Sequence, residues 1–252
     1  MKKYNILISN DDSIYSNGIK ALVETAKQWG NVTVVAPDKP QSGMGHAVTL
    51  DTIVQAKEVH LFGTDVKAYA CSGTPADCTK LAIGVLMETP PDLVLSGINH
   101  GSNTATSVIY SGTMAAAIEA AMSGITGIGI SLCDSSLKAD FSASKQIIQD
   151  FWTQYMLTQK IKQGTCLNIN IPKLDYSLIK GLQPCRQTMG YWKENFEERT
   201  SPKGEKYYWL SGYFLNTDSG QDNDEFYLSQ NYATIVPISY DLTDYTTLST
   251  LK

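Results

Sequence analysis

The sequence predicts a three-layer α/β core with a mostly parallel sheet, followed by an extended β-rich arm. From residue 4 to residue 171, short continuous apolar runs alternate with segments of helical periodicity, which is typical of successive βαβ units. Beyond about residue 180 this periodicity disappears, and Tyr, Trp, Asp and Ser become more frequent. We therefore expect a single domain, with a core at about residues 1–180 and an arm at about residues 181–252.

Apolar runs predict the strands of the core sheet. Pro37 ends the second run and Pro172 the last, as expected where proline interrupts a hydrogen-bonded ladder. Residues 47–70 alternate loosely and predict a pair of strands or a hairpin with its turn at 63–65. The other predicted core strands are residues 4–9, 32–36, 93–96, 125–132 and 166–171.

Four segments with helical periodicity lie between these strands. Thr74 is a suitable N-cap and Pro75 a suitable first helical residue for one of them, and Pro90 stops it. The predicted helix 114–122 is rich in Ala, which allows close packing on the sheet. The predicted helices are residues 18–29, 78–87, 114–122 and 143–155. In the arm, strands are predicted at 207–215 and 233–239, on either side of the polar loop 216–224.

Composition and charge exclude several classes of function. The formal net charge of −5 and the absence of a Lys/Arg-rich run argue against a nucleic-acid partner. No apolar stretch approaches the roughly 20 residues of a membrane helix, and the apolar run at 6–8 is too short for a signal peptide. The five cysteines form no CxxC pair, which predicts reduced, mostly buried thiols and a cytoplasmic location.

Oxygen-bearing side chains follow three predicted strands at the point where the chain leaves the sheet. Asp11 and Asp12 follow the first strand, Ser42 lies in the loop after the second, and Asn99 follows the third. Loops at the carboxyl ends of parallel strands converge on one crevice. Carboxylate, hydroxyl and amide oxygens are hard ligands, suited to Mg²⁺, Mn²⁺ or Ca²⁺. An acidic pair by itself is more often a helix cap or a solvated turn, and the other two loops strengthen the prediction of a metal site.

Two further segments are candidate phosphate sites. Gly101 and Asn103 lie in a polar, glycine-containing loop, which could be a simple turn or an anion cradle. Ser111, Gly112 and Thr113 open a helix, so they could form only an N-cap or could also present unpaired N–H groups to an anion.

Histidines and tryptophans give weaker signals. His60 is expected to be structural, whereas His46 and His100 flank the candidate loops and could act directly. The sequence contains no GxSxG elbow, CxxC pair or HExxH motif, which removes the common serine-hydrolase and zinc alternatives. The tryptophans are expected to pack, although Trp192 and Trp209 could line a pocket or a subunit contact.

Five ordered motifs resemble those of the stationary-phase survival protein SurE family. A later segment, TDSGQDNDEFYLSQNYATIVPISYDLT, is similar to the acidic motif and closing strand of that family. The match is dense over the N-terminal two-thirds of the chain. The five motifs are ILISNDDSIYSNGI, VVAPDKPQSGMGHAVT, CSGTPADCTKLA, PDLVLSGINHGSN and YSGTMAAAIEAAMSGI.

This resemblance implies a metal-dependent phosphatase of nucleoside 5′(3′)-monophosphates with some activity on short polyphosphate. It also implies a Rossmann-like core and C-terminal arms that are exchanged in homodimers or homotetramers. One divalent ion per subunit would be held by Asp11, Asp12, Ser42 and Asn99, with Asp11 and Asp12 as catalytic residues. The implied phosphate contacts are Asn10, Asn99, Gly101, Asn103, Ser111, Gly112 and Thr113.

The sequence departs from the family pattern at three positions. Ser13 stands where the family usually has Gly after the acidic pair, which would strain the backbone by about 1 kcal/mol if that position has a positive φ. His100 replaces a common Arg, so a substrate contact by that cation is in doubt. Ser239 stands where the family often has His, which weakens any role for that position.

Three other classes of protein are alternatives to this hypothesis. A haloacid-dehalogenase-like phosphatase needs a DxD motif after the first strand, whereas the acids here are adjacent. A receiver-like signalling module needs a phosphoacceptor Asp after the third strand, where this chain has Asn99. A protein that binds a metal and a nucleotide without turning it over is the third alternative.

Overall fold

A mostly parallel sheet with helices on both faces forms the core of the protein, which confirms the predicted fold class. The computed structural model describes residues 3–158 and 160–252. In this part of the chain the strands are β1 (Tyr4–Ser9), β2 (Gly30–Pro37), β3 (Ala56–Glu58), β4 (Lys67–Cys71), β5 (Leu93–His100), β6 (Thr126–Leu132), β7 (Cys166–Ile171), β8 (Leu182–Pro184), β9 (Gly190–Thr200), β10 (Lys206–Asn216) and β11 (Ala233–Ile238).

Helices connect most of these strands. Two of them continue as short π-helical segments, Ala82–Leu86 and Trp152–Met156. The helices are α1 (Asn17–Ala26), α2 (Pro75–Leu81), α3 (Ser107–Tyr110), α4 (Gly112–Met122), α5 (Ser142–Phe151), α6 (Asp224–Ser229) and α7 (Tyr245–Thr250). No helix in the described ranges is both long enough and apolar enough to span a bilayer.

The main sheet has the strand order β3-β4-β2-β1-β5-β6-β7-β11-β8. Within the run β4-β2-β1-β5-β6-β7, each strand is parallel to the next one. At one edge β3 pairs antiparallel with β4, and at the other β11 pairs antiparallel with β7 and parallel with β8. Strands β9 and β10 form a separate antiparallel hairpin.

Alternation along β1 explains why the sheet needs helices on both faces. Ile6 and Ile8 are fully buried in the cluster beneath α1 and α5, and Leu7 is fully buried in the cluster beneath α2 and α4. Each buried side chain of this size contributes roughly 1.5–3 kcal/mol relative to an exposed one. A strand that is apolar on both sides therefore requires a layer on each face, as the sequence predicted.

The predicted core elements agree with the structure to within a few residues, with two corrections. Helix α1 ends at Ala26 rather than at residue 29, because the following residues turn directly into β2. In the segment 47–70 only β3 and β4 pair, and residues 47–55 form no strand. The predicted hairpin therefore exists but is shorter than the alternation indicated.

Beyond residue 180 the sequence did not predict two strands, β8 and β9, or two helices, α6 and α7. Strand β9 is exposed along almost its whole length and carries many charges, so it has no apolar pattern of its own and is defined by its pairing with β10. Helices α6 and α7 have six residues each, which is too short for visible periodicity.

The segment after residue 180 is divided between two sheets. Strands β8 and β11 extend the main sheet, whereas the β9–β10 hairpin stands apart and exposes aromatic side chains that include Trp192, Phe196 and Trp209. A boundary between core and arm near residue 180 stays a prediction.

Two helical glycines provide a test of the packing between α1 and β5. A Cβ on Gly18 would lie 1.9 Å from the carbonyl oxygen of Ile98, whereas a Cβ on Gly84 would meet no atom within 4 Å. Alanine normally stabilises a helix relative to glycine by about 1 kcal/mol. We expect Gly84→Ala to be neutral or stabilising and Gly18→Ala to lower the free energy of unfolding by about 1–3 kcal/mol through overpacking. Urea denaturation measures both, and a stabilising Gly18→Ala would contradict the packing.

Candidate active site

The candidate site lies at the topological switch point of the sheet, between β1 and β5. Strands β2 and β4 lie on one side of β1, and β5, β6 and β7 lie on the other side. Ligands bind at such a switch point, outside the carboxyl ends of the two central strands. Asp11 and Asp12 follow β1, and Asn99 lies in the last part of the adjacent β5.

Asp11 is held against the start of α4. Its Oδ1 accepts a 2.7 Å hydrogen bond from the hydroxyl of Thr113, and its side chain is buried. A Cβ on Gly112 would lie 2.8 Å from the Asp11 Cβ and 3.0 Å from the Pro75 Cγ. Only glycine at position 112 therefore lets the helix N-terminus, with its favourable dipole, come this close to the carboxylate.

Asp12 is oriented by His100. The backbone N–H of His100 donates to Asp12 Oδ2 at 3.0 Å, and the ring Nδ1 lies 2.9 Å from the same oxygen. A carboxylate only accepts hydrogen bonds, so Nδ1 carries the proton in this contact. The His100 ring also packs edge-on against Phe141. His100 thus supports the acidic pair in the position where the family commonly has Arg.

Asn99 and Gly101 shape the end of β5. The Asn99 Nδ2 donates to the Gly101 carbonyl at 2.8 Å, which fixes the amide and leaves Oδ1 free of described hydrogen bonds. Gly101 has a φ of +97°, and a Cβ there would meet no atom within 4 Å. The backbone conformation, rather than crowding, is therefore what requires glycine at this position.

The loop after β2 brings Ser42 to the same cleft. The Gln41 N–H donates to the Asp11 carbonyl at 2.7 Å and joins this loop to the end of β1. Ser42, Asp12 and His100 line a cleft of about 470 Å³. Two of the predicted metal ligands thus share this cleft, and the other two lie on the adjoining strand ends.

The donor set fits a hard divalent cation. Asp12 Oδ1 and Asn99 Oδ1 have no described partner, and the Ser42 hydroxyl is exposed. Within residues 3–158 and 160–252, no Lys or Arg forms an ion pair with Asp11 or Asp12. Burial, together with the neighbouring Asp12 charge, raises the pKa of Asp11, although the Thr113 hydroxyl acts in the opposite direction. Two adjacent carboxylates, one buried and one half-buried, without a Lys or Arg partner among the described residues would be stabilised by a bound metal ion.

Asn10 lies in the loop between β1 and α1. It is fully buried, and its Nδ2 donates to the Ser13 carbonyl at 2.8 Å and to the Ser16 hydroxyl at 2.9 Å. Both amide protons are therefore used within the loop between β1 and α1. Asn10 closes that loop, and a phosphate contact by its side chain stays a prediction.

Asn103 belongs to a buried amide network that sequence reasoning missed. Its N–H donates to Asn170 Oδ1 at 2.8 Å, its Nδ2 to Ser131 Oγ at 2.8 Å, and its carbonyl accepts from Asn168 Nδ2 at 2.7 Å. The available signal was the placement of Asn168 and Asn170 at alternate positions within an otherwise apolar strand. This network fixes the loop after β5, while a phosphate contact by Asn103 stays a prediction.

The three residues that open α4 have separate tasks. Ser111 is the N-cap and its hydroxyl accepts from the Met114 N–H at 3.1 Å. Gly112 makes the close approach to Asp11, and Thr113 donates to it. The side chains of Ser111 and Thr113 are thus engaged within the protein, and the first N–H groups of the helix are what it offers to an anion.

Taken together, the fold and the site define an α/β protein with an acidic, oxygen-rich ligand site at the switch point of its sheet. A family profile described as "Survival protein SurE" matches residues 6–194. The chain belongs to the SurE family.

Named relatives and a solved structure agree with this family over nearly the whole chain. The 5′-nucleotidase SurE of Christiangramia forsetii is 49% identical over 243 residues, covering 96% of this chain and 93% of the relative. The 5′-nucleotidase SurE of Cytophaga hutchinsonii is 49% identical over 253 residues, covering 100% and 97%. The crystal structure of the SurE protein from Aquifex aeolicus is 35% identical, with a TM-score of 0.82 and 98% of both chains covered.

Ser13 gives a test of backbone strain beside the site. Its φ is +80°, which costs a non-glycine residue about 1 kcal/mol. We expect Ser13→Gly to raise the free energy of unfolding by up to about 1 kcal/mol, partly offset by loss of the 3.3 Å hydrogen bond from the Tyr15 N–H. Ser13→Ala keeps the strain, loses the hydrogen bond and should destabilise. A Ser13→Gly variant less stable than Ser13→Ala in urea denaturation would contradict this account.

The raised pKa of Asp11 predicts a pH-dependent stability in metal-free protein. The folded protein holds the carboxyl proton of Asp11 more tightly than the unfolded chain does. Protonated Asp11 therefore stabilises the fold at a pH below its pKa in the unfolded chain, and this stabilisation is lost as the pH rises through its raised pKa in the folded protein. Relative to the wild type in EDTA, Asp11→Asn should therefore gain free energy of unfolding as the pH rises above about 4, the pKa of an Asp in the unfolded chain. The control is Asp65→Asn, because a hydrogen bond from Lys27 lowers the pKa of Asp65 and predicts the opposite trend. Parallel trends for the two variants would refute the assignment.

Proposed function

We propose that this protein is a metal-dependent 5′-nucleotidase that hydrolyses nucleoside monophosphates to nucleoside and phosphate. Two relatives that carry the name 5′-nucleotidase SurE are 49% identical to it and align over at least 93% of their length. Membership of the SurE family implies a divalent metal cofactor. The oxygen donor set favours Mg²⁺, Mn²⁺ or Ca²⁺ over softer metals.

The observation that carries this proposal is the convergence of oxygen ligands with a helix N-terminus. Asp11 and Asp12 leave β1 side by side, and Asn99 leaves the adjacent strand. The start of α4 touches Asp11 through Gly112 and Thr113. Carboxylates alone repel phosphate, so a cation at the acids and the N–H groups of a helix beside them make a site for a phosphate monoester.

When bound by Asp11, Asp12, Ser42 and Asn99, a divalent ion would polarise a phosphate oxygen and lower the pKa of a water. The residues around this set hold it rigid before the substrate arrives. Thr113 fixes Asp11 and His100 fixes Asp12, so neither carboxylate has to reorganise during the reaction.

Charge that develops on the phosphoryl group would be stabilised by the first N–H groups of α4 and by the loop that contains Gly101 and Asn103. Asp11 is the candidate for orienting or deprotonating the attacking water, because it lies closest to the start of that helix. The cleft of about 470 Å³ beside Asp12 and Ser42 has room for the rest of a nucleotide.

The relatives favour this function over the alternatives considered from the sequence, which were an aspartyl-nucleophile phosphatase and a non-catalytic signalling or nucleotide-binding module. Our proposal extends to 3′-monophosphates, to short polyphosphate and to a cytoplasmic location. It also includes a homodimer or homotetramer with exchanged C-terminal arms. The aromatic side chains exposed on the β9–β10 hairpin support an association through this region.

Phosphate release from AMP tests the proposed function. With Mg²⁺ or Mn²⁺ the purified protein should release phosphate, and excess EDTA should abolish this activity until metal is restored. Asp11→Asn should lower kcat by at least about 100-fold at saturating metal, because it removes a ligand and the candidate base. Asp65→Asn is the matched control, since Asp65 lies at the surface and pairs with Lys27.

Undiminished turnover in EDTA would contradict a metal-dependent mechanism. A covalent aspartyl phosphate trapped on Asp11 or Asp12 would instead support the nucleophilic alternative. Near-normal turnover by Asp11→Asn, with circular dichroism confirming the fold, would remove Asp11 from the site.

A further inference from the structure

A buried carboxylate on α4 connects three elements near the site. Glu119 is 4% exposed. Its Oε1 lies 2.6 Å from the Lys80 ammonium at the end of α2, and its Oε2 lies 2.9 Å from His46 Nε2 in the loop after β2. Since the carboxylate only accepts, the Nε2–H of His46 is the donor. Neither Glu119 nor Lys80 has a part in the proposed chemistry.

His46 belongs to the loop that carries Ser42. The loop is joined to β1 through the Gln41 N–H and to the end of α3 by the Gly45 N–H, which donates to the Tyr110 carbonyl at 2.9 Å. Between these attachments, Ser42 lies in an exposed turn closed by a 3.3 Å hydrogen bond from the Met44 N–H to the Gln41 carbonyl. That turn has little contact of its own to fix its position.

The contact between Glu119 and His46, whose side chain is 31% exposed, adds a second attachment after this turn. Glu119 is on the same helix whose first residues touch Asp11. A single rigid element therefore contacts Asp11 at its N-terminus and the Ser42 loop at its third turn. Lys80 compensates the buried charge of Glu119, which would otherwise be costly.

We infer that His46, Glu119 and Lys80 form a clamp that positions Ser42 for the metal ion. This inference rests on the proposed function, because it takes Ser42 as a metal ligand. His46 is then a positioning residue that acts through the backbone of its loop. Removing the clamp weakens metal binding because the hydroxyl of Ser42 has to be ordered when the metal binds.

A different role for His46 is testable in the same experiment. His46 also lines a mostly apolar cavity of about 440 Å³ together with Ser111, Ile118 and Ile238. If the nucleoside of the substrate occupied that cavity, His46 would contact the substrate. Its removal would then raise KM for AMP and leave the affinity for the metal unchanged.

Titration of metal-free protein with Mn²⁺, followed by electron paramagnetic resonance without substrate, measures the clamp directly. We expect His46→Ala to raise the Kd for Mn²⁺ roughly tenfold, as typical for the loss of a supporting hydrogen bond around a metal site. His46→Gln keeps an N–H donor at a similar reach and should stay within about twofold of the wild type. His60→Ala is the matched control, since His60 is exposed and should not affect the Kd.

Glu119→Gln provides a second variant of nearly the same shape. It should weaken Mn²⁺ binding less than His46→Ala does, and the double variant should be no weaker than His46→Ala alone, because both changes open the same contact. At saturating Mn²⁺, the kcat and the KM for AMP of the single variants His46→Ala and Glu119→Gln should return to about wild-type values.

Separate outcomes distinguish this inference from the proposed function. A wild-type protein that neither binds Mn²⁺ nor hydrolyses AMP would overturn the function and the clamp together. A wild type active with metal, but with unchanged Mn²⁺ affinity in folded His46→Ala and Glu119→Gln, would overturn the clamp alone. The same holds if only KM for AMP rises, or if additive losses appear in the double variant.

Discussion

The approach of the first turn of α4 to the end of β1 is the constraint on which the rest of the site depends. It places a buried carboxylate against a helix N-terminus, with Thr113 donating to Asp11 and Gly112 leaving no side chain between them. A side chain at position 112 would clash with Asp11, whereas the dipole at the helix N-terminus stabilises the negative charge of that carboxylate. Once the contact exists, Asp12 must point from the adjacent residue toward β5 and His100.

Asparagine side chains fix the loops around this contact, some from within the loop and some from a neighbouring strand. The loop after β1 is closed by Asn10, the end of β5 by the amide of Asn99, and the following loop by the asparagines of β7. Asn10 and Asn99 donate within their own loops, whereas Asn168 and Asn170 both donate and accept and so connect β7 to the loop after β5. The site is rigid because its polar side chains have mostly been used for structure.

Sequence reasoning predicted the fold class, and it grouped the candidate metal ligands without showing which polar side chains are used within the protein. Strand-end loops converge by the geometry of any parallel sheet, so Asp11, Ser42 and Asn99 could be grouped in advance. The pattern could not show that Asn10 faces inward, because inward and outward amides look alike in a sequence. Nor could it find the partners of Asn103, which come from strands 28 and more residues away. Strand β9 was missed because its exposed, charged residues carry no periodic signal.

The loop between β5 and α4 also depends on the far end of the chain. The carboxylate of Asp224, itself fully buried, accepts hydrogen bonds from the N–H groups of Ala105 and Thr188, and Ala105 has a φ of +50°. A separation of 119 residues along the chain lies between Ala105 and Asp224. The order in which the protein is made therefore matters, because the four candidate metal ligands are synthesised well before Asp224, which holds the neighbouring loop. A nascent chain that has reached only β7 holds every candidate donor oxygen and most of the side chains that fix them, but the loop after β5 still lacks its contact with Asp224.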